Sequence, residues 1–533
     1  GLLLLAGAAD AQEPQQIRVD TSAAQVEATG VDIRDGAVLL TLDEAVEIAL
    51  RQNLGLSIQR YTRNRARLAI AQTLGAYDVL ASAVGLAQDN ASPPTTQLQA
   101  SESNLQRLTM GFDQLFPTGG VLSLDWVNFR QESNNAFSRF NPEYNSDIAF
   151  SYNQPLLRGF GRLATERELL VARNRSQASR EDFEGQLVLT VQDVIDAYWN
   201  LVGARQQLIV AQESLSLARE LHDRNRIQVE VGTMAPLELV QSEAAIAERE
   251  EGIITAQSAL GDAEDALRRL LNLPEGELWA TEIRPATDPA IQHTPIDVAA
   301  AIQTALAERP ELRGVQLDIE QARIQSQFAR NEERPTLDLN IRYGFEGAGG
   351  NLIVRDAAGN PIGTTTGGYS DAFSQITGLD YDGWTAQLTF GLPLQNRSAR
   401  ALRAIADLDL QRAQAGLEDA RNAIITEVRG AARRVETAAK QIEAAKASRV
   451  FQERNLEAER KRYENGMSTS FQITQIQEDL TQARSREVNS VVNYRIALAE
   501  YQRATGRLLE EERVSIDDEE ALVDRWQFSL RGR

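Results

Sequence analysis

Cysteine is absent from the 533-residue chain, and histidine occurs twice, as His222 and His293. Without cysteine there is no disulfide, no thiolate metal site and no cysteine nucleophile. Two histidines far apart in sequence do not furnish a zinc site or a Ser-His-Asp triad. Cations are in deficit: 55 Lys and Arg stand against 76 Asp and Glu, a formal charge of −21. That balance disfavours nucleic acid and anionic lipid surfaces as partners and suits a solvated surface or a cation-friendly lumen. No stretch approaches the ~18–20 apolar residues of a membrane-spanning helix, so any membrane crossing must use strands. Proline is missing from the whole stretch 162–230.

The hydrophobic share of 42% is too high for a disordered chain. Gly1–Ala11, GLLLLAGAADA, reads as the tail of a secretory signal with Ala9-Asp10-Ala11 as its small-x-small site. Residues 12–40 then form an N-terminal extension and 511–533 a C-terminal tail.

The remainder reads as one plan used twice, over 41–293 and 294–510. ALRQNLGL at 49–56 matches ALAERPEL at 305–312. Each follows a helix start: Thr41-x-x-Glu44 is a capping box, and Thr294-Pro295 places proline at a first helical position. Val231-Gly232 matches Asn465-Gly466, and Leu267 to Asn272 matches Tyr501 to Gly506. Each half is expected to run as helices, a strand pair (about 105–157 and 336–392), a very long helix, a glycine turn (231–236 and 465–469) and a return helix. Pro236 is expected at the first position of one return helix, and Thr469-x-x-Gln472 as a capping box on the other.

The long helices carry coiled-coil spacing. Leu187, Val194, Leu201, Leu208 and Leu215 recur every seven residues, with Val191 and Tyr198 between them. The first helical pattern, from about Arg162 to Glu230, corresponds to about 100 Å of helix. The second runs from about Asn396 to Glu464. Its seam is small: Ala413, Ala420, Ala431, Ala432, Ala438, Ala439, Ala444 and Ala445.

Strand signals are of the alternating kind. Thr336–Phe345 and Trp384–Leu392 alternate apolar with polar or glycine, as do Leu108–Asp113, Leu122–Trp126 and Ile148–Asn153. Period two gives a sheet with one apolar and one polar face. Asp125, Asp338 and Arg342 on the polar face favour a wet lumen over a buried core, with lipid on the apolar side. Gly347 to Asp380 reads as a long polar loop, of the kind found on the outer side of a membrane barrel. Its Gly347-x-Gly349-Gly350 is too isolated to read as a nucleotide site. About four strands per chain are expected, and closed membrane barrels have at least ~8, so the chain has to oligomerise if its strands sit in lipid.

These features together resemble the TolC-type outer-membrane efflux proteins, from about Leu40 to Leu509. The resemblance is carried by Leu42-Asp43-Glu44-Ala45 with Ala49-Leu50, by Gln154-Pro155-Leu156 and its mate Gly391-Leu392-Pro393-Leu394, and by the tips Val231-Gly232-Thr233 and Arg462-Tyr463-Glu464-Asn465-Gly466. It implies a mainly α fold with a small β part: antiparallel helical coiled coils forming a periplasmic tunnel, plus four strands per chain in a twelve-stranded barrel shared by a homotrimer. The implied setting is the outer membrane of a Gram-negative bacterium, in contact with its lipid. The implied partners are a periplasmic adaptor and, through it, an inner-membrane transporter. Neither enzymatic chemistry nor a cofactor is implied. The competing reading from the residues alone is a periplasmic coiled-coil scaffold without a barrel.

The resemblance also assigns residues. Val231, Gly232, Thr233, Asn465, Gly466 and Met467 fall where relatives meet the adaptor. Tyr463 matches a latch tyrosine and Glu238 its acidic partner. Ser468 replaces the latch arginine, which implies a closed state weaker by about 1 kcal/mol per protomer. Gln472 and Gln475 occupy positions where relatives carry aspartate rings. Asp479 shares their helical face and reads either as a carboxylate ring one turn further in or as a solvated acid. Three methionines and no cysteine count against a soft-metal relay, and the cargo stays open.

Overall fold

The computed structural model describes residues 33–34, 37–93, 99–135, 137–273, 276–287, 295–357 and 359–514. The signal remnant at 1–11, His293, Thr294 and the tail beyond 514 lie outside them. In chain order the elements begin with strands β1 (Ile33–Arg34) and β2 (Ala37–Leu40) and helices α1 (Leu42–Gln52) and α2 (Leu54–Leu74). Four strands follow: β3 (Leu80–Ala91), β4 (Glu102–Leu115), β5 (Val121–Ser133) and β6 (Phe140–Pro155). Then come α3 (Arg162–Thr165), α4 (Arg167–Glu230), α5 (Leu237–Leu271), α6 (Glu277–Ala280) and β7 (Glu282–Pro285). The second half holds α7 (Val298–Glu308), α8 (Pro310–Glu332), β8 (Thr336–Arg355), β9 (Pro361–Thr365), α9 (Tyr369–Gly378), β10 (Asp382–Gly391), α10 (Arg397–Glu464), α11 (Ser470–Ala504) and α12 (Leu508–Glu511).

The described residues fall into two compact units, each drawing on both halves of the chain. The first takes the described residues up to Gln59, those of Gly185–Arg309 and those from Ile424 to 514; the second takes the described residues of Arg60–Glu184 and Pro310–Ala423.

In the first unit, β1, β2 and β7 form a small sheet against helices, with β2 and β7 parallel. The capping box at Thr41 and Glu44 starts α1, which feeds Ala45, Val46 and Ala49 into the core. The heptad positions Leu187, Val191, Val194, Tyr198 and Leu201 are all buried there. Tyr198 is fixed by its hydroxyl, which donates to Leu40 O at 3.1 Å and accepts from Thr287 N at 3.0 Å. Leu208 is only half-buried, and Val210 takes up the seam instead. The small seam of α10 is buried at Ala431, Ala432 and Ala438, whereas Ala444 is exposed. A side chain at Gly203 of α4 would meet Val492 Cγ2 of α11 at 2.9 Å, so these helices approach closely. Polar ties close the unit: Arg268 pairs with Glu264 at 2.8 Å and donates to Thr281 O at 2.8 Å. Burial raises the Glu427 carboxyl, but Arg309 and Arg503 on either side outweigh it and hold it below the usual range.

The second unit is built on a seven-stranded antiparallel sheet, in the order β10-β8-β6-β5-β4-β3, with β9 on the outer end of β8. The expected four strands are therefore too few. The first half contributes four by itself: β3, which alternation does not signal, precedes β4, β5 and β6, which contain the alternating runs Leu108–Asp113, Leu122–Trp126 and Ile148–Asn153. The anticipated loop at 347–380 is likewise mostly structured, as the continuation of β8 followed by β9 and α9. The first long helix starts at Arg167 rather than Arg162, with α3 as a separate turn before it.

Register puts one kind of residue on each face. Leu108, Met110 and Phe112 of β4 lie beside Leu124 and Trp126 of β5, then Ile148 and Phe150 of β6, then Phe345, Tyr343 and Ile341 of β8, then Trp384 and Ala386 of β10. The opposite face carries Arg107, Asp125, Asp147, Arg342, Thr385 and Gln387. Arg342 meets Asp147 there at 3.1 Å. Helix α9 lies on the apolar face near the far end of the strands, its Phe373 ring 6.3 Å from Trp126. Two glycines make room for it: a Cβ on Gly347 would sit 1.9 Å from Ala372 O, and one on Gly349 would sit 2.7 Å from Gly368 O.

Burial pushes the Asp196 carboxyl on α4 up to about 6, with Asp193 adding repulsion and Glu500 a little more, against Gln192 and Arg503. A carboxyl whose folded value is raised costs stability once it ionises, so the penalty is complete above about 6. Asp196→Asn is expected to raise the unfolding temperature at pH 8. The gain should shrink as pH falls from about 6 towards the ordinary carboxyl value of 3.8 and vanish only well below that, where both folded and unfolded states hold the proton. Thermal scans at about pH 8, 5 and 3 check this; an equal shift at every pH would sink it.

Candidate gate and docking tips

The two glycine turns of the first unit are built alike. After α4, Gly232 has φ 78° and donates to Val229 O at 3.0 Å, and Thr233 N donates to Gln228 O at 2.9 Å. After α10, Gly466 has φ 71° and donates to Tyr463 O at 2.9 Å, and Met467 N donates to Arg462 O at 2.9 Å. Each pair is a Schellman stop, satisfying the last helical carbonyls and requiring a left-handed residue at the glycine. Asn465 adds a side-chain bond to Lys461 O at 2.7 Å.

The returns differ from expectation in detail. Pro236 sits at the N-cap, one residue before α5, not at the first helical position. Thr469 accepts from Gln472 N at 3.3 Å, but the reciprocal half of the capping box is not made. Val231, Gly232, Thr233, Asn465, Gly466 and Met467 are all exposed. Beside them stand further exposed apolar side chains that sequence reading passed over: Ile227, Leu237, Val240 and Phe471, the last 65% accessible.

Behind the turns, Tyr463 packs with Leu221, Leu456, Ile473, Ile476 and Leu480. Its hydroxyl donates to Asn225 Oδ1 at 2.6 Å, with Gln228 Oε1 at 3.3 Å. The expected Tyr463–Glu238 hydrogen bond is therefore not made. Glu238 accepts from Ser470 instead, close enough to Tyr463 that, after burial, its charge also raises the phenol. Ser468, at the arginine position, donates to the buried Glu459 at 2.5 Å, and Arg462 meets Glu459 at 3.1 Å. Asn225 was legible in one respect: it continues the seam of Ala218 and Leu221, and a polar residue at a seam position calls for a buried partner. Nothing in the sequence identifies that partner as Tyr463.

Gln472, Gln475 and Asp479 lie on a face of α11 adjacent to the buried one of Ile473, Ile476 and Leu480. The two glutamines are exposed and Asp479 is half-exposed. Gln475 Nε2 donates to Asp479 Oδ1 at 3.3 Å. Further along, Arg249 of α5 is buried against Glu478 of α11 at 2.7 Å. His222 Nδ1 faces Ser242 Oγ at 2.9 Å, a helix-to-helix tie between α4 and α5.

Removing the Tyr463 hydroxyl strands the buried Asn225 carbonyl, at a cost of about 1–3 kcal/mol. Tyr463→Phe is expected to lower amide exchange protection around the α10–α11 turn by roughly 5–30-fold, while Glu238→Gln leaves it within about twofold. Hydrogen exchange on both variants decides this; the reverse ranking would return Glu238 to the latch.

The sequence profile described as "Outer membrane efflux protein" matches residues 121–273 and 301–507, more than half of the chain. Among curated proteins, none matches. Solved structures of similar fold include the outer-membrane channel OprN, 16% identical over 87% of this chain and 89% of that one, at a TM-score of 0.65. The Campylobacter jejuni CmeC outer membrane channel is 17% identical over 89% and 90%, at 0.64. The Vibrio cholerae outer membrane protein VceC is 13% identical over 87% and 96%, at 0.63. With two-thirds of its length matched in register with the profile, the chain belongs to the outer membrane efflux protein family.

Proposed function

We propose that this outer-membrane efflux protein is the exit duct of a tripartite efflux or type I secretion machine, working as a homotrimer and conducting cargo passively. The observation that carries the reading is the two-faced sheet. Leu108, Met110, Phe112, Leu122, Phe150, Ile341, Tyr343, Trp384, Leu388 and Phe390 are exposed, all on one face, with Trp384 74% accessible. An exposed apolar band of this extent needs lipid or another apolar cover, and the charged opposite face suits a water-filled lumen.

The tips supply the remaining parts of the proposal. Val231, Gly232, Thr233, Asn465, Gly466 and Met467 are the adaptor-contact surface, and the inner-membrane transporter couples through that adaptor. The exposed Val231, Leu237, Met467 and Phe471 give the adaptor an apolar footing. Gln472, Gln475 and Asp479 line the constriction, with Asp479 as its one carboxylate. Tyr463, held by Asn225, and Glu238, held by Ser470, brace the closed tip, and Ser468 supplies no cation where relatives carry the latch arginine. Such a gate opens more readily than one that keeps the latch arginine.

The deciding experiment is the native mass of protein extracted in detergent from an outer-membrane fraction. A heat-sensitive species of three chains is expected. A monomer recovered in the aqueous fraction would refute the duct and favour a periplasmic scaffold. In planar bilayers, Asp479→Asn is expected to reduce cation preference and divalent-ion block; unchanged selectivity would leave Asp479 a solvated acid.

A further inference from the structure

The sheet ends in two open edges, β3 on one side and β10 on the other. We propose that β10 of one copy pairs with β3 of the next, so that three copies close an eighteen-stranded barrel instead of a twelve-stranded one. The proposal rests on the trimeric duct reading above and deepens it.

Direction favours this closure. Every neighbouring pair from β3 to β10 is antiparallel, and the path holds six strands. With an even number, the first and last strands run in opposite senses, so they meet antiparallel like all the others. The lengths agree as well, 12 residues in β3 and 10 in β10. Every described position of β3 is exposed, and all but the last of β10. In hydrocarbon, such edges leave a row of backbone donors and acceptors unpaired at several kcal/mol each.

Side-chain size supplies a second, independent argument. The register of β3 on β4 places Ala81, Ala83 and Gly85 beside Phe112, Met110 and Leu108, on the apolar face. Ala87 continues that row. On β10 the same face carries Phe390, Leu388, Ala386 and Trp384. With the helix-side ends aligned, Phe390 falls opposite Ala81, Leu388 opposite Ala83, Ala386 opposite Gly85 and Trp384 opposite Ala87. The large row of one edge then lies over the small row of the other. A slip of one residue would set these side chains against Leu80, Ser82, Val84 and Leu86 of the opposite face and break the apolar band.

The β3–β4 hairpin that raises the count is built into the wall. Its partner turn between β4 and β5 is closed by Phe116 N donating to Gly120 O at 2.7 Å. That turn is lodged against the strand-to-helix junction: Gly161 N donates to Thr118 O at 3.0 Å, and a Cβ on Gly119 would lie 2.6 Å from Gly159 O. A barrel of eighteen strands is about half as wide again as one of twelve and falls in the size range that leaves an aqueous channel.

Cysteine pairing tests the edge, since the chain has no cysteine of its own. The double variants Ser82→Cys/Thr389→Cys and Val84→Cys/Gln387→Cys place thiols on the lumen face of the two edges. After exhaustive oxidation of detergent-extracted trimer, at least one pair is expected to give bands at two and three times the chain mass on a denaturing gel. Those bands should be lost on reduction and missing from each single variant. A heat-sensitive trimer that yields no covalent band from either pair overturns the edge pairing while leaving the duct reading intact. Self-linking of a single variant, or efficient linking of Gln387→Cys to Asp125→Cys on β5, overturns it as well. A ladder that stops at two chains overturns the count of eighteen. Should the unoxidised protein run as a monomer, the duct reading itself fails first.

Discussion

An unpaired peptide group in hydrocarbon has nowhere to turn, and on the proposed duct reading that constraint organises the β part of this molecule. A sheet that offers one apolar face to lipid needs a neighbour at every strand. The strands must also keep strict register, because a slip of one residue exchanges the two faces. The chain meets both demands locally. Phe112, Leu124, Phe150 and Tyr343 sit side by side across four strands, and the charges that alternate with them gather on the other face, where Arg342 and Asp147 pair. The sheet edges are the part that one chain cannot complete.

The helical unit follows a different logic. Long helices packed on a heptad seam gain most of their stability from burial, and they have no lipid to satisfy. Polar groups inside this unit are paired one against another: Arg268 with Glu264, Arg249 with Glu478, and Tyr463 with Asn225. At the tips the two glycine stops are alike bond for bond, whereas the contacts behind them are not. Similar turns thus hold a fixed backbone geometry while the side chains that brace them vary.

Much of this was legible in the sequence, for physical reasons. The long helices were visible because Leu187, Val194 and Leu201 recur at heptad spacing without proline, and β8 and β10 because large apolar and polar residues alternate strictly. Strand β3 was not. Its apolar residues fall on both faces, alanine and glycine on one and Leu80, Val84 and Leu86 on the other, so alternation never develops. The continuation of β8 was hidden by Gly347-x-Gly349-Gly350, which reads as a loop until α9 is seen resting on it. At the candidate gate the positions were legible and the pairings were not. Tyr463 meets a residue 238 positions away, and Ser468 turned back to Glu459, nine residues upstream on α10. Such choices depend on which side chains the fold brings within about 3 Å, and spacing along one helix does not carry that information.

The placement of α9 bears on bilayer thickness. A membrane strand needs about 9–11 residues, and β8 has 20, so in the proposed barrel roughly half of it projects beyond the hydrocarbon. Helix α9 covers the apolar side of β8 just where Gly347 and Gly349 begin that projection, and Tyr369 and Phe373 stand half-exposed on it. Aromatic side chains of this kind settle at headgroup level. In the proposed barrel the helix is then a collar that ends the lipid-facing band a few residues past Tyr343, setting the hydrophobic height of this stretch of wall independently of strand length. A membrane thicker than that height would have to thin locally, at a fraction of a kcal/mol per Å.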